Sequence, residues 1–152
     1  HDALPICYNR WDQSTEGESP ALIRDEMQRV MQEDFGVFRT GEVMEEGLRR
    51  LAAIRERLDH GYLKDKSRIF NTERIAALEL ENLMATAYAT ACSALERTES
   101  RGAHSREDYP SRDDANWIKH IIYFIEGHHL DYRPVNQKPK YIEPFQPKER
   151  VY

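Results

Sequence analysis

Scarcities narrow the function of this chain first. Cysteine is rare: Cys7 and Cys92 are the only two, and they lie far apart. They form no CxxC or zinc pattern, and a reducing compartment is expected. No apolar run approaches the roughly 20 residues that a transmembrane helix needs. Basic residues do not collect into a stripe and the net charge is −5, which argues against nucleic acid as a partner. The seven glycines nowhere take the i, i+2, i+5 spacing that lets backbone approach a pyrophosphate. Gly36 and Gly41 are spaced as in a phosphate-binding loop, but Glu42 stands where that loop needs its lysine. No segment is therefore equipped to hold FAD, NAD or ATP, and no cofactor or metal is expected on this chain. The start His1-Asp2-Ala3-Leu4-Pro5 lacks Met, a basic n-region and an apolar stretch. A processed protein or a fragment without a signal peptide is the expectation.

Catalytic groupings are equally thin. His128 and His129 fall at a hairpin tip on opposite faces of the strand, and His120 stands apart from them, so solvent-exposed loop histidines are expected rather than a metal site. Glu56 and His60 are spaced i, i+4 with no further ligand. Ser100, His104 and Asp108 are spaced i, i+4, i+8, but nothing local supplies the orienting group or oxyanion hole that a triad requires. Cys92 falls in an apolar helical run, where a buried, inert thiol is expected.

The chain does hold helices. Ser19 and Pro20 suit an N-cap and first turn, and Ile23, Met27, Val30, Met31 and Phe35 follow at one-face spacing up to Gly36, which predicts a helix over 20–35. Thr40 can cap a second helix over 41–60, with the stripe Met44, Leu48, Leu51, Ile54 and Leu58 and a stop at Gly61. Asn71 or Thr72 caps a third, read as about 28 residues and roughly 40 Å long at 1.5 Å per residue. From Ile75 to Leu95 this helix is apolar almost all the way round, the pattern of a helix buried on most sides. Two amphipathic helices cannot cover all of it. The excess must meet the C-terminal tail or a partner, or pair with a second copy of the chain.

After Pro110 the helical period is lost. Alternating, β-prone residues predict a hairpin of about 118–124 and 129–135, and the proline-bearing residues 136–152 read as an extended tail. The expected fold is thus mainly α: an antiparallel three-helix bundle of the spectrin-repeat kind, then a small β-hairpin and the tail. The organisation expected is an irregular lead over 1–19, the bundle over 20–99, and the charged turn, hairpin and tail over 100–152, all as one domain.

The densest charge cluster lies between bundle and hairpin, where Arg97, Glu99, Arg101, Arg106, Asp108 and Arg112 crowd around Ser100, Gly102 and His104. Gly102 and Pro110 impose a definite backbone shape, and arginine rather than lysine dominates, which suits planar pairing with carboxylates. These nine residues are the expected docking interface. No catalytic, cofactor-binding or metal-ligating residue is expected.

The run Glu99-Ser100-Arg101-Gly102-Ala103-His104-Ser105-Arg106-Glu107-Asp108-Tyr109-Pro110 resembles the C-terminal signature of the succinate dehydrogenase and fumarate reductase flavoprotein family, of which L-aspartate oxidase carries a related version. Arg112-Asp113-Asp114-Ala115-Asn116-Trp117, Tyr132-Arg133-Pro134-Val135-Asn136 and the ending Pro147-Lys148-Glu149-Arg150-Val151-Tyr152 resemble the succinate dehydrogenase branch, as do Phe70-Asn71-Thr72-Glu73-Arg74 and Leu80-Glu81-Asn82-Leu83 upstream. The resemblance implies a C-terminal piece of a longer subunit whose covalent FAD and substrate-binding residues lie elsewhere. It implies a parent enzyme of the tricarboxylic acid cycle and electron transport that oxidises succinate to fumarate. Implied partners are the FAD-binding domain, an iron–sulfur subunit and membrane anchor subunits. Implied placement is peripheral, at the cytoplasmic face of a bacterial inner membrane or the mitochondrial matrix face. A free-standing interaction or assembly module, or the same domain from a fumarate reductase or L-aspartate oxidase, are the competing readings.

Overall fold

A computed structural model of the chain describes residues 11–12, 14–145 and 148. Helix α1 spans Pro20–Asp34, with the Ser19 hydroxyl accepting from the Ala21 N–H and Pro20 in the first turn. Helix α2 spans Gly41–Asp59 behind Thr40, whose hydroxyl accepts from the Val43 N–H. Helix α3 spans Thr72–Glu96 behind Asn71, whose side-chain oxygen accepts from the Arg74 N–H at 2.8 Å. Each cap satisfies one backbone donor that the first helical turn leaves unpaired.

The three helices pack pairwise around one core. Ile23, Met27 and Val30 of α1, Met44, Leu51, Ile54 and Leu58 of α2, and Ala77, Leu80, Met84 and Ala91 of α3 form it, sealed by Trp11, Phe35 and Leu63. Neighbouring helices run antiparallel. Arg57 near the end of α2 pairs with Glu18 just before α1 and with Glu26 in its first half, while Arg50 in the first half of α2 reaches Asp34 at the end of α1. Gly47 lets α2 close on the end of α1: a methyl added there would fall 2.5 Å from the Phe35 ring and 2.6 Å from Asp34 Cβ.

Beyond the bundle a one-turn helix α4, Asp114–Trp117, precedes an antiparallel hairpin of β1, Lys119–Phe124, and β2, His129–Pro134. The turn between the strands carries Gly127 at φ +73°, and β1 packs on α3. Residues 135–145 form no helix or strand. Cys7 and most of the lead lie outside the described residues, as does most of the chain's ending.

Three expectations change. Helix α3 stops at Glu96, after 25 residues, where Arg97 turns extended and an arginine from a later loop satisfies the last carbonyls. Helix α4 is an added element just before the hairpin, where the sequence reading placed none; Asp113 caps it twice, accepting from the Ala115 and Asn116 N–H groups. And α3 is not buried on most sides by this chain. Its buried face is one stripe, the hairpin covers a flank, and Ile75 and Leu83 remain 57% and 42% exposed.

Candidate functional site

The charged stretch after α3 folds back as an elbow over the open end of the bundle. Its turn is Arg101–His104, closed by reciprocal backbone hydrogen bonds of 2.8 and 3.0 Å, with Gly102 at φ +58°. That left-handed conformation is the reason for a glycine there. Ser100 holds the returning segment: its hydroxyl accepts from the Arg106 N–H at 2.8 Å and donates to the Tyr109 carbonyl, also at 2.8 Å.

Arg106 is the keystone and is only 3% exposed. Its Nη1 donates to the Leu95 carbonyl at 2.9 Å and to the Arg97 carbonyl at 3.3 Å, so a guanidinium occupies the negative end of α3. Its Nε and Nη2 grip Asp108 at 2.7 and 2.6 Å. Asp108 in turn accepts from the Gly41 N–H at 2.8 Å, placing a carboxylate at the positive end of α2. The Arg106 guanidinium and the Gly41 N–H hold the Asp108 carboxyl well below the usual carboxylate range, against some burial.

Glu99 is fully buried, which by itself raises a carboxyl pKa. Hydrogen bonds from Arg101, the Asp113 N–H and Arg97 outweigh that and hold it below its ordinary value. From Glu99 a chain of alternating charges runs outward: Arg101 bridges it to Asp114, and Asp114 meets Arg112 at 3.0 Å. Arg97 bonds the Trp117 and Lys119 carbonyls and lies over the Trp117 ring, which ties the hairpin to the elbow.

His104 lies between two elements. One ring nitrogen is 2.8 Å from an Arg39 Nη and the other 3.1 Å from the Arg97 carbonyl. A guanidinium only donates, so Nδ1 must accept and Nε2 must carry the proton. The imidazole is therefore neutral, and burial, with the nearby arginines, holds its pKa below the ordinary value. Ser100, His104 and Asp108 bond to different partners, so they do not compose a hydrolytic triad. His128, although exposed, is not free: an Arg55 nitrogen and the Tyr123 hydroxyl meet its ring at 2.6 and 2.5 Å. Cys92 is half-buried, and burial pushes its thiol pKa up.

Of the nine residues expected to dock, the structure turns Glu99 and Arg106 inward, leaves Arg97, Ser100, Arg101 and His104 half-buried, and exposes Gly102, Asp108 and Arg112. Sequence reasoning missed Arg39 and Gly41, which hold the other side of the elbow. Their partners lie 65 and 67 residues away, and no local pattern announces such a contact.

The family model described as fumarate reductase flavoprotein C-term matches residues 24–152. The succinate dehydrogenase flavoprotein subunit of Coxiella burnetii is 57% identical over 149 residues, covering 98% of this chain and 25% of that protein. The mitochondrial succinate dehydrogenase [ubiquinone] flavoprotein subunit of Oryza sativa is 46% identical, covering 86% of this chain and 21% of that one. Among solved structures, E. coli quinol fumarate reductase superposes with a TM-score of 0.83 at 36% identity, over 94% of this chain and 25% of that chain. The chain belongs to the C-terminal domain family of the succinate dehydrogenase and fumarate reductase flavoproteins, and it spans about a quarter of the length of the curated relatives it matches.

A flavin dinucleotide would need a helix N-terminus or a glycine-rich turn open to its phosphates. Here the N-termini of α1, α2 and α3 are each capped by the chain's own Ser19, Thr40 and Asn71, and Asp108 puts a carboxylate at that of α2. The described residues do not fit that group. Nor do they bring together three metal-ligating side chains.

Proposed function

We propose that this chain is the C-terminal helical domain of a succinate dehydrogenase flavoprotein subunit and that its own role is structural. The observation that carries this reading is the alignment of 98% of the chain with a quarter of a succinate dehydrogenase flavoprotein subunit at 57% identity. The whole subunit oxidises succinate to fumarate on covalently bound FAD and passes electrons to an iron–sulfur subunit and then to quinone. Membrane anchor subunits hold it peripherally, at the cytoplasmic face of a bacterial inner membrane or the matrix face of a mitochondrial one. This domain packs on the FAD-binding domain. Residues 1–19 lead into the bundle at 20–99, and residues 100–152 supply the elbow, hairpin and tail. Arg101, Gly102, Asp108 and Arg112 meet the flavin domain, with Arg97, Ser100 and His104 at the margin. Glu99 and Arg106 hold that surface in shape from within.

The uncovered side of α3, with Ile75 and Leu83 outward, supports a domain that leans on a larger body. Two measurements test the reading. The gene upstream of the His1 codon should encode an FAD-binding domain in the same frame; its absence favours a free-standing interaction module. The purified chain mixed with FAD and succinate should gain no flavin absorbance and reduce no dye, and either signal overturns the structural role.

A fumarate reductase parent is the second reading, favoured by the superposition on the E. coli enzyme. Succinate oxidation and fumarate reduction rates of the complete subunit in its complex separate the two.

A further inference from the structure

Alongside the elbow, on the flank of α3, runs a shallow groove of about 520 Å³ lined by Arg39, Thr86, Thr90, Ser93, Arg97 and His104, with alanines between and the Ile121 and Tyr123 side of β1 as its wall. Among the described residues no carboxylate lines it, although the chain as a whole is acidic. Arg97 is neutralised by buried Glu99. Arg39 is not neutralised by any described residue. Its Nε donates to the Gly36 carbonyl at 2.8 Å and an Nη to the neutral His104 ring, and among the described residues no carboxylate forms an ion pair with it. Among the described residues nine other arginines do have such a pair, Arg24, Arg49, Arg50 and Arg57 among them, whereas half-buried Arg55, like Arg39, meets a histidine instead. Arg39 is half-buried and held by backbone as well, because its carbonyl accepts from the Glu107 N–H at 2.8 Å.

The floor of the groove suits protein better than a free small ion. The Thr86 and Thr90 hydroxyls donate back to their own helix, to the Asn82 and Thr86 carbonyls, leaving a surface of small side chains that a backbone can approach closely. Leu83 continues the same face of α3, and Val37 and Phe38 stand exposed next to Arg39 in sequence. A half-buried guanidinium without a counter-charge, at the end of a small-residue groove and beside exposed apolar side chains, matches an incoming Asp or Glu flanked by apolar residues.

We infer that Arg39 is the receptor for a carboxylate on the remainder of the flavoprotein subunit, which seats a segment along α3 in this groove. The inference rests on the parent proposed above and adds the docking position and the chemistry of its occupant. The groove brings positive charge and the segment supplies the negative one, while the paired arginines of the elbow are not required for the contact.

The test uses the complete subunit and a thiol placed in the groove. Ser93→Cys should react with a maleimide about tenfold or more slowly in the complete subunit than in this 152-residue chain, as followed by peptide mass spectrometry. Arg39→Glu should restore the fast rate in the complete subunit, whereas Arg29→Glu, on the exposed side of α1, should not. Arg39→Lys, which keeps the charge, should crosslink through a carbodiimide to an Asp or Glu outside these residues. Equal Ser93→Cys rates in a complete, flavin-loaded subunit and in the chain overturn this inference alone. A crosslink only to a carboxylate within the chain, or protection of the isolated chain by millimolar phosphate or acetate, also overturns it. A reading frame with no flavin domain overturns both it and the parent reading.

Discussion

Arg106 and Asp108 join opposite ends of two helices through one ion pair. The guanidinium takes carbonyls at the end of α3, the carboxylate takes the first N–H of α2, and two hydrogen bonds of 2.6 and 2.7 Å lie between them. Each charge complements the helix end that it faces, so the pair connects two helices at their termini where side-chain packing ends.

Asp108→Ala should therefore cost far more than a surface substitution. It strands a nearly buried guanidinium, for which about 3 kcal/mol is the expected loss. In urea unfolding this appears as a lower midpoint with unchanged slope. A loss near that of an exposed pair, about 0–1 kcal/mol, would show that the helix ends do not need the bridge.

Acid should unfold the domain through the same group. The folded-state pKa of Asp108 lies below its unfolded value of about 4, so its contribution is fully present above that pH and is lost as pH falls through the folded value. Glu99 acts in the same direction. The stability curve should fall from about pH 4 downward, and the fall should be shallower in Asp108→Ala, measured by thermal melts at stepped pH.

His104 gives a second, separate window. Its folded pKa lies below the ordinary value of about 6.5, so the unfolded chain binds the proton first as pH drops. Its contribution is complete above that pH and declines below it. The difference in melting temperature between the natural chain and His104→Gln should shrink from pH 7.5 to about 5.5. A pH-independent difference would mean that the ring is not held neutral.

Gly47→Ala should destabilise, although helix propensity alone predicts a gain of about 1 kcal/mol. The added methyl meets Phe35 and Asp34 at under 3 Å, an overpacking expected to cost about 1–3 kcal/mol. A raised melting temperature would show that α1 can shift to make room.

The bundle is legible in the sequence because its signals are local. Ser19, Thr40 and Asn71 stand where the structure finds the caps, and the stripe of Met44, Leu51, Ile54 and Leu58 faces the core as its spacing predicts. The end of α3 is not legible, since the arginine that satisfies its last carbonyls stands ten residues beyond Glu96 and no glycine or proline marks the end. Gly47 reads as a weak spot in a helix until α1 is laid against it. Arg39 reads as an ordinary surface arginine, because its partner in the groove, the His104 ring, comes from far along the chain. The charged elbow reads as a surface, yet Glu99 and Arg106 are internal: burial in this segment follows from which carbonyls and N–H groups lack partners, and composition does not carry that information.

The hairpin is hung on the last turn of α3 and on the elbow beyond it. Tyr132 bonds Glu96, Arg97 holds two carbonyls at the entry to β1, and Lys119 lies between the Trp117 and Tyr132 rings. Any body that grasps those two strands thereby also sets the axial position and rotation of the long helix, so alignment imposed at the periphery is carried through the whole bundle along a single rigid rod.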